Sequence, residues 1–287
     1  MIIVTGATGQ LGRGIVKHLI ERMPLNTIGV SVREPAKASD LEALGVRVRY
    51  GDFTDPASLA KAFEGADQVL IVSSNARASG GDPLAQHHHA INAARDAGAQ
   101  RIVYTSHMAA SAFSAFPPMR DHAATEAMLS ASSVPWTALH HGFYAASGLM
   151  LMGNAHETGV IETPADGKVA WTAHADLAEA AAIILADEGR YDGPTPPLTG
   201  AEALDLSDFA VIAAEVWGRP VERCVMADDD FRTRMTTLGV SQSVANIALG
   251  LYTASRDGEF AAVNSTLGHL LRRAPITMRT LMDQQTN

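Results

Sequence analysis

The chain has a single cysteine, Cys224. That excludes an intrachain disulfide framework and any zinc site built on several thiolates, and it leaves Cys224 as a small, buried or half-buried apolar residue. Charge is sparse as well, at 18% of residues, with 22 lysines and arginines against 31 aspartates and glutamates and a net charge of −9. Without a cluster of basic residues the surface lacks the electrostatic footprint of a nucleic-acid binder. No apolar run approaches the ~20 residues that cross a bilayer, Ala180 to Ala186 being among the longest. Met1 leads into a strand too soon for a leader with its basic and apolar segments. The expectation is a cytoplasmic protein with no membrane partner, and its oligomeric state is left open.

Apolar residues make up 47% of the 287, enough for one large domain or a domain with a smaller lobe. The most informative stretch is the first: Met-Ile-Ile-Val, then Thr5-Gly6-Ala7-Thr8-Gly9-Gln10-Leu11-Gly12, then apolar residues at Ile15, Val16, Leu19 and Ile20. It reads as a buried strand, a glycine turn and an amphipathic helix. Gly6 lets the chain leave the strand, Gly9 lets backbone approach a ligand, and Gly12 lets the helix pack on the strand. The helix's first N–H groups then face whatever lies over the turn, and a pyrophosphate is the natural occupant. Thr8, Gln10 and Leu11 share the turn and are candidates to line the same ligand.

Strand and helix signals alternate from there. Strands are expected at Thr27 to Val32, Val46 to Tyr50, Val69 to Val72, Ile102 to Thr105 and Trp136 to Leu139. Asp55-Pro56 caps a short helix that Gly65 closes, and Pro83 to Ala97 forms a longer one ending at Gly98. Near-continuous apolar strands between helices imply a doubly wound parallel α/β sheet, a Rossmann-type fold. After Tyr144 the rhythm changes to short pieces broken by glycines and the Pro194 to Pro197 stretch, with helices at Asp176 to Ala186 and at Asp208 to Val216, which stops at Gly218. We expect a dinucleotide-binding domain over 1–145, its sheet completed by parts of 170–205, and a smaller, mainly helical substrate-binding lobe over 146–287.

Arg33, at the end of the second strand, replaces the acidic residue that usually holds the ribose hydroxyls of NAD, and Lys37 lies one turn on. A guanidinium can grip a 2′-phosphate through two parallel bonds, so NADP(H) is the expected cofactor. The other reading of the pair is an ordinary solvated surface. Asp52 and Phe53 are placed to meet the adenine, and Ser73, Ser74 and Asn75 the ribose and inner phosphate; loop polarity alone also accounts for such residues. The run His87-His88-His89 lies inside a helix, where consecutive side chains diverge, so no metal site is expected.

The glycine turn, Val32-Arg33, Gly51-Asp52-Phe53, Ala93-Ala94-Arg95-Asp96-Ala97-Gly98, Val103-Tyr104-Thr105-Ser106, His122-Ala-Ala-Thr125-Glu126, Thr199-Gly200 and Leu270-Leu271-Arg272-Arg273-Ala274-Pro275 together resemble the NmrA-like atypical short-chain dehydrogenases. Within that family the likeness is to bacterial NADPH quinone oxidoreductases and triphenylmethane reductases. The order and spacing of the motifs cover nearly the whole chain. The resemblance implies that Thr105 and Ser106, at the end of the fifth strand, lie at the cofactor, with Ser106 facing the nicotinamide. It also places His141 where the family often has an asparagine that contacts it. Ser106 either donates to an acceptor oxygen or caps its strand. His122 either supplies a proton or packs with Glu126 four residues on. Tyr144, with Phe143, either stacks on a flat acceptor or belongs to the core.

Carbonyl-reducing members of the wider superfamily carry Tyr-x-x-x-Lys where this chain has His122-x-x-x-Glu126. A simple ketone becomes an alkoxide with a pKa like that of water, about 16, whereas a quinone becomes a phenolate near 10, a difference of roughly 8 kcal/mol in the demand on an acid. Lacking the pair favours quinone-like or other conjugated flat acceptors and a reductase relying on proximity. A regulatory protein that binds NADP(H) as a redox sensor fits the same absence.

Overall fold

The computed structural model describes Met1 to Thr286. In chain order the elements are β1 (Ile2–Thr5), α1 (Gln10–Ile20), β2 (Ile28–Val32), α2 (Ser39–Ala43), β3 (Arg47–Tyr50), α3 (Pro56–Ala62), β4 (Gln68–Ile71), α4 (Pro83–Asp96), β5 (Arg101–His107), α5 (Pro117–Ala131) and β6 (Trp136–His141). There follow β7 (Phe143–Tyr144), α6 (Ala145–Leu151), α7 (Ala155–Thr158), β8 (Val160–Pro164), β9 (Trp171–Thr172), α8 (His174–Ala186) and β10 (Gly193–Pro194). The last are α9 (Leu206–Trp217), β11 (Glu222–Met226), α10 (Asp228–Thr237), α11 (Gln242–Arg256), α12 (Thr266–Leu271) and α13 (Met278–Thr286). Two compact units result. One comprises Met1–Ala110, Asp121–His141 and His174–Pro196, the other Ser111–Arg120, Gly142–Ala173 and Pro197–Asn287.

The first unit is built on a seven-stranded sheet, β10-β6-β5-β4-β1-β2-β3, in which every pair runs parallel. Strands β1, β2, β4 and β5 are buried along their whole length, which explains their near-continuous apolar sequence. Strand order reverses between β1 and β4, and ligands of such sheets bind beyond the carboxyl ends at that point. One core cluster joins Ile3, Phe63, Ile71, Ile91, Ile102, Tyr104 and Leu129. Elsewhere α1 and α8 cross so closely that a Cβ on Gly14 would stand 2.9 Å from that of Ala178. The helix expected from Asp176 begins two residues earlier, at His174, and the Asp176 carboxylate is fully buried in the first turn of α8.

The second unit carries two short parallel pairs, β7 with β9 and β8 with β11, among helices. Phe116, Phe143, Trp171, Phe209 and Phe260 form its aromatic core, in mostly edge-on contacts of 5.1–6.2 Å. Asp205 caps α9 and Asp208 returns the bond, a full capping box. Among the described residues no helix is long and apolar enough to cross a membrane.

A buried ion pair ties this unit together. Arg223, on β11, lies 3.2 Å from Asp166 and donates to the carbonyls of Thr163 and Pro164 at the end of β8, while Asp166 accepts from Leu206 N–H at the start of α9. Burial raises the Asp166 pKa, opposed by the Leu206 N–H and by Arg223. Removing one partner leaves the other charge buried alone, so Arg223→Ala should cost about 3–5 kcal/mol. The measurement is the urea midpoint of the variant; a midpoint like that of wild type would show the pair to be dispensable.

Candidate functional site

At the end of β1 the chain turns through Gly6, whose φ of +63° suits glycine, and Gly9 N–H closes the turn on the Gly6 carbonyl at 2.9 Å. A Cβ on Gly12 would lie 2.4 Å from that same carbonyl oxygen, so the start of α1 is pressed onto the turn. Gly9 differs. Its backbone is extended (φ −87°, ψ 166°), and a Cβ would meet nothing closer than 3.4 Å. Nothing in the chain crowds a Cβ there, so the backbone at Gly9 is open to the close approach of a ligand. Gly9 has no side chain to cap α1, an eleven-residue helix without an acid in its first turn. The turn thus presents N–H groups and the positive end of a helix to an anion, and it fits the pyrophosphate of a dinucleotide. Thr8 and Gln10 are exposed on it, whereas Leu11 is buried.

Arg33 is exposed at the end of β2, as a phosphate ligand must be. Lys37 meets Glu34 at 2.7 Å with both side chains 63% exposed, a pair too solvated to hold it firmly. Sequence reasoning missed Arg13 on α1, which grips Asp40 through two bonds of 2.8 and 2.9 Å and the Lys37 carbonyl at 2.8 Å, fixing the loop that carries Arg33 and Lys37. Asp52 uses one carboxylate oxygen to accept from Thr54 N–H and its hydroxyl, both at 2.8 Å. Phe53 packs on the core and its carbonyl lies 2.8 Å from His89 Nδ1.

Beyond β4 and β5 the polar groups interlock. Thr5 Oγ1 accepts from Val72 N–H at 2.9 Å, and Thr105 Oγ1 accepts from Ser73 N–H at 2.8 Å. Ser74 donates its N–H to His87 Nε2 at 2.8 Å and its hydroxyl to Gln86 at 2.5 Å, while Asn75 precedes a short turn of helix. Since Nε2 accepts, His87 carries its proton on Nδ1 and gives it to Thr125 Oγ1 at 2.8 Å; Thr125 in turn donates to the Asp121 carbonyl. Burial lowers the His87 pKa to about 4. The histidine run therefore splits three ways: His87 inward, His88 to Asn92, His89 to Phe53.

The ends of β5 and β6 hold the remaining candidates. His122 on α5 is half-buried, its Nδ1 2.8 Å from the Tyr104 hydroxyl and its ring stacked on His107 with centroids 6.2 Å apart. Burial, with His87 and His140 nearby, lowers its pKa to about 3. It does not bond to Glu126, its neighbour one turn on. Glu126 Oε1 instead accepts from Ser106 Oγ and lies 2.9 Å from His140 Nε2. Ser106 therefore faces a carboxylate, an arrangement visible in sequence only as a serine at a strand end and an acid on the next helix. His141 is buried, its pKa lowered to about 3 first by burial and further by the neighbouring His174, His122 and His140. His107 is pushed well below its ordinary value for the same reason. In the second unit Tyr144 follows Phe143 of the aromatic core, and burial pushes its phenol up to about 12, so it keeps its proton.

Over residues 6–188 the chain matches the family described as NAD(P)H-binding. It is 33% identical over 279 residues to quinone oxidoreductase 2 of Escherichia coli, covering 97% of this chain and 96% of that one. Among solved structures, that of NADPH-dependent quinone oxidoreductase from Escherichia coli complexed with NADPH is similar at a TM-score of 0.92 and 32% identity over 100% of both chains. The Citrobacter sp. triphenylmethane reductase complexed with NADP(H) gives 0.87 and 30%, again over 100% of both.

The depressed histidines fix a pH dependence. His87, His122 and His141 titrate near 6.5 when unfolded but at about 4, about 3 and about 3 when folded, so the unfolded chain binds more protons in between. Their contribution is whole above pH 6.5 and is lost as the pH falls through that window. The urea midpoint should drop steadily between pH 6.5 and pH 4, and less steeply in His87→Gln. A midpoint that stays level across this range would show the rings to be charged in the fold.

Proposed function

The chain belongs to the NAD(P)H-binding, NmrA-like oxidoreductases, with NADP(H) as the cofactor, and from there we propose that it reduces a quinone or a similarly conjugated, flat acceptor. The observation that carries this reading is the state of α5. Where a carbonyl reductase needs a strong, positioned acid, His122 is half-buried, neutral to about pH 3 through desolvation and bonded to Tyr104. An alkoxide would find no imidazolium there. A phenolate needs about 8 kcal/mol less help, and orientation can carry most of its formation. Similarity to a quinone oxidoreductase and to a triphenylmethane reductase supports the same acceptor class.

In this reading Gly6, Thr8, Gly9, Gln10 and Leu11 surround the pyrophosphate, Arg33 and Lys37 take the 2′-phosphate, and Asp52 and Phe53 meet the adenine. Ser73, Ser74, Asn75 and Thr105 line the ribose and inner phosphate, and Ser106 and His141 the nicotinamide end. When bound, the reduced nicotinamide supplies the hydride. The residues of the chain hold, orient and exclude water.

Two expectations test the reading. Gly9→Ala should weaken NADPH binding at least ~10-fold while leaving the melting temperature within about 1 °C, whereas Gly12→Ala, which drives a Cβ into the Gly6 carbonyl, should lower both. Equal effects of the two would remove Gly9 from the cofactor site. Arg33→Ala should raise the KM for NADPH about 10-fold and barely change that for NADH, in assays that follow nicotinamide absorbance with a panel of quinones and dyes. Tight NADPH binding without turnover of any acceptor would overturn the reductase in favour of a sensor.

A further inference from the structure

Beyond the ends of β5 and β6 two donors converge on a single oxygen. Ser106 and His140 are partners in the parallel register of those strands, and Glu126 Oε1 on α5 accepts from Ser106 Oγ and stands 2.9 Å from His140 Nε2. Ser106 is buried, and the side chains of Glu126 and His140 are each 16% exposed. Thr195 Oγ1 holds the His140 backbone N–H at 3.0 Å. The order is serine, carboxylate, imidazole. A nucleophilic serine needs its base directly on the hydroxyl, and here the imidazole is one group removed, so the cluster is not arranged for acyl transfer. It is arranged to pass a proton, because one entering Oε1 from His140 and one leaving towards Ser106 share an atom and the carboxyl group need not turn.

Resting on the quinone-reductase reading, we propose that Glu126 is the positioning residue of the proton step, linking Ser106 to the His140 ring so that Ser106 protonates the reduced acceptor. Hydride addition brings two electrons to the quinone and leaves the hydroquinone monoanion. The Ser106 O–H bond breaks as an O–H bond forms on the product oxygen. Ser106 regains a proton across Glu126 Oε1, the Nε2–H bond of His140 breaks as it passes that proton on, and solvent returns one proton to the ring. The sum is NADPH, one proton and quinone giving NADP⁺ and hydroquinone. His122 has no part in it, since its Nδ1 is engaged by Tyr104.

The chemistry of two acceptors separates this role from a structural one. A quinone needs a proton after the hydride arrives, whereas a triarylmethyl cation becomes a neutral hydrocarbon and needs none. Glu126→Gln, Ser106→Ala and Glu126→Asp are compared with wild type for kcat on a benzoquinone and on a cationic triarylmethane dye, with NADPH affinity measured alongside. In Glu126→Gln and Ser106→Ala the ratio of quinone kcat to dye kcat should fall at least ~10-fold, and Glu126→Asp, which keeps the carboxylate, should recover part of it. The solvent-deuterium effect on quinone kcat should be larger in Glu126→Gln than in wild type. A ratio within about twofold of wild type, including a parallel loss on both acceptors, would overturn the relay, and so would equal deuterium effects. Wild-type protein that binds NADPH yet reduces neither acceptor would instead bring down the reductase reading on which the relay rests.

Discussion

The contact on which the cofactor side of the molecule depends is the approach of Gly12 to the Gly6 carbonyl. A Cβ at Gly12 would sit 2.4 Å from that oxygen, so only glycine lets α1 begin directly over the end of β1. Gly6 supplies the left-handed turn that brings the chain round. The same helix then crosses α8 at Gly14 with less room than a methyl group needs. One short series of glycines therefore decides where the positive end of α1 points and how the layer behind it packs. Because α1 follows the strand at which the sheet order reverses, that end is presented at the switch point.

The carboxyl ends of β4, β5 and β6 solve a different problem. They bring many polar side chains into a buried space, where an unpaired polar group costs about 1–3 kcal/mol and an unpaired charge far more. His87 settles its tautomer by accepting from Ser74 and donating to Thr125, and Tyr104 occupies His122. Burial keeps four rings, those of His87, His107, His122 and His141, neutral near pH 7. Among such neighbours the carboxylate of Glu126 lies next to one more imidazole, His140, and that nearness gives their contact its weight. A fixed, largely neutral surround sharpens the electrostatic effect of the groups that do ionise.

Much of this was legible in the sequence wherever the cause is local. Glycines and proline-led caps mark the helix ends: Asp55 accepts from Ser58 N–H, and Gly98 takes φ +79° after α4. Buried parallel strands show themselves by continuous apolar runs, and the structure lengthens β5 and β6 to His107 and His141 because pairing carries them past their apolar stretch. Helical spacing places Glu126 beside His122, but Tyr104 on β5 takes that histidine and Ser106 and His140 take the acid, and no helical periodicity contains a strand neighbour. Arg13 was likewise invisible, since its partner Asp40 lies 27 residues away. The pairing of β8 with β11 joins segments about sixty residues apart and leaves no local trace.

The exchange of Tyr and Lys for His122 and Glu126 is then more than a missing pair. A tyrosine acid works when a nearby lysine lowers its pKa, and an alkoxide product requires that help. On the proposed function, a neutral histidine and a carboxylate at those two positions give a developing oxyanion less help than a tyrosine and lysine would. Such a site suits acceptors whose product spreads its charge over a ring, or whose positive charge the hydride removes. Flat conjugated acceptors meet both conditions, and simple ketones meet neither. On the proposed function, the two substituted positions on α5 act on reactivity through the local charge rather than through the shape of a pocket.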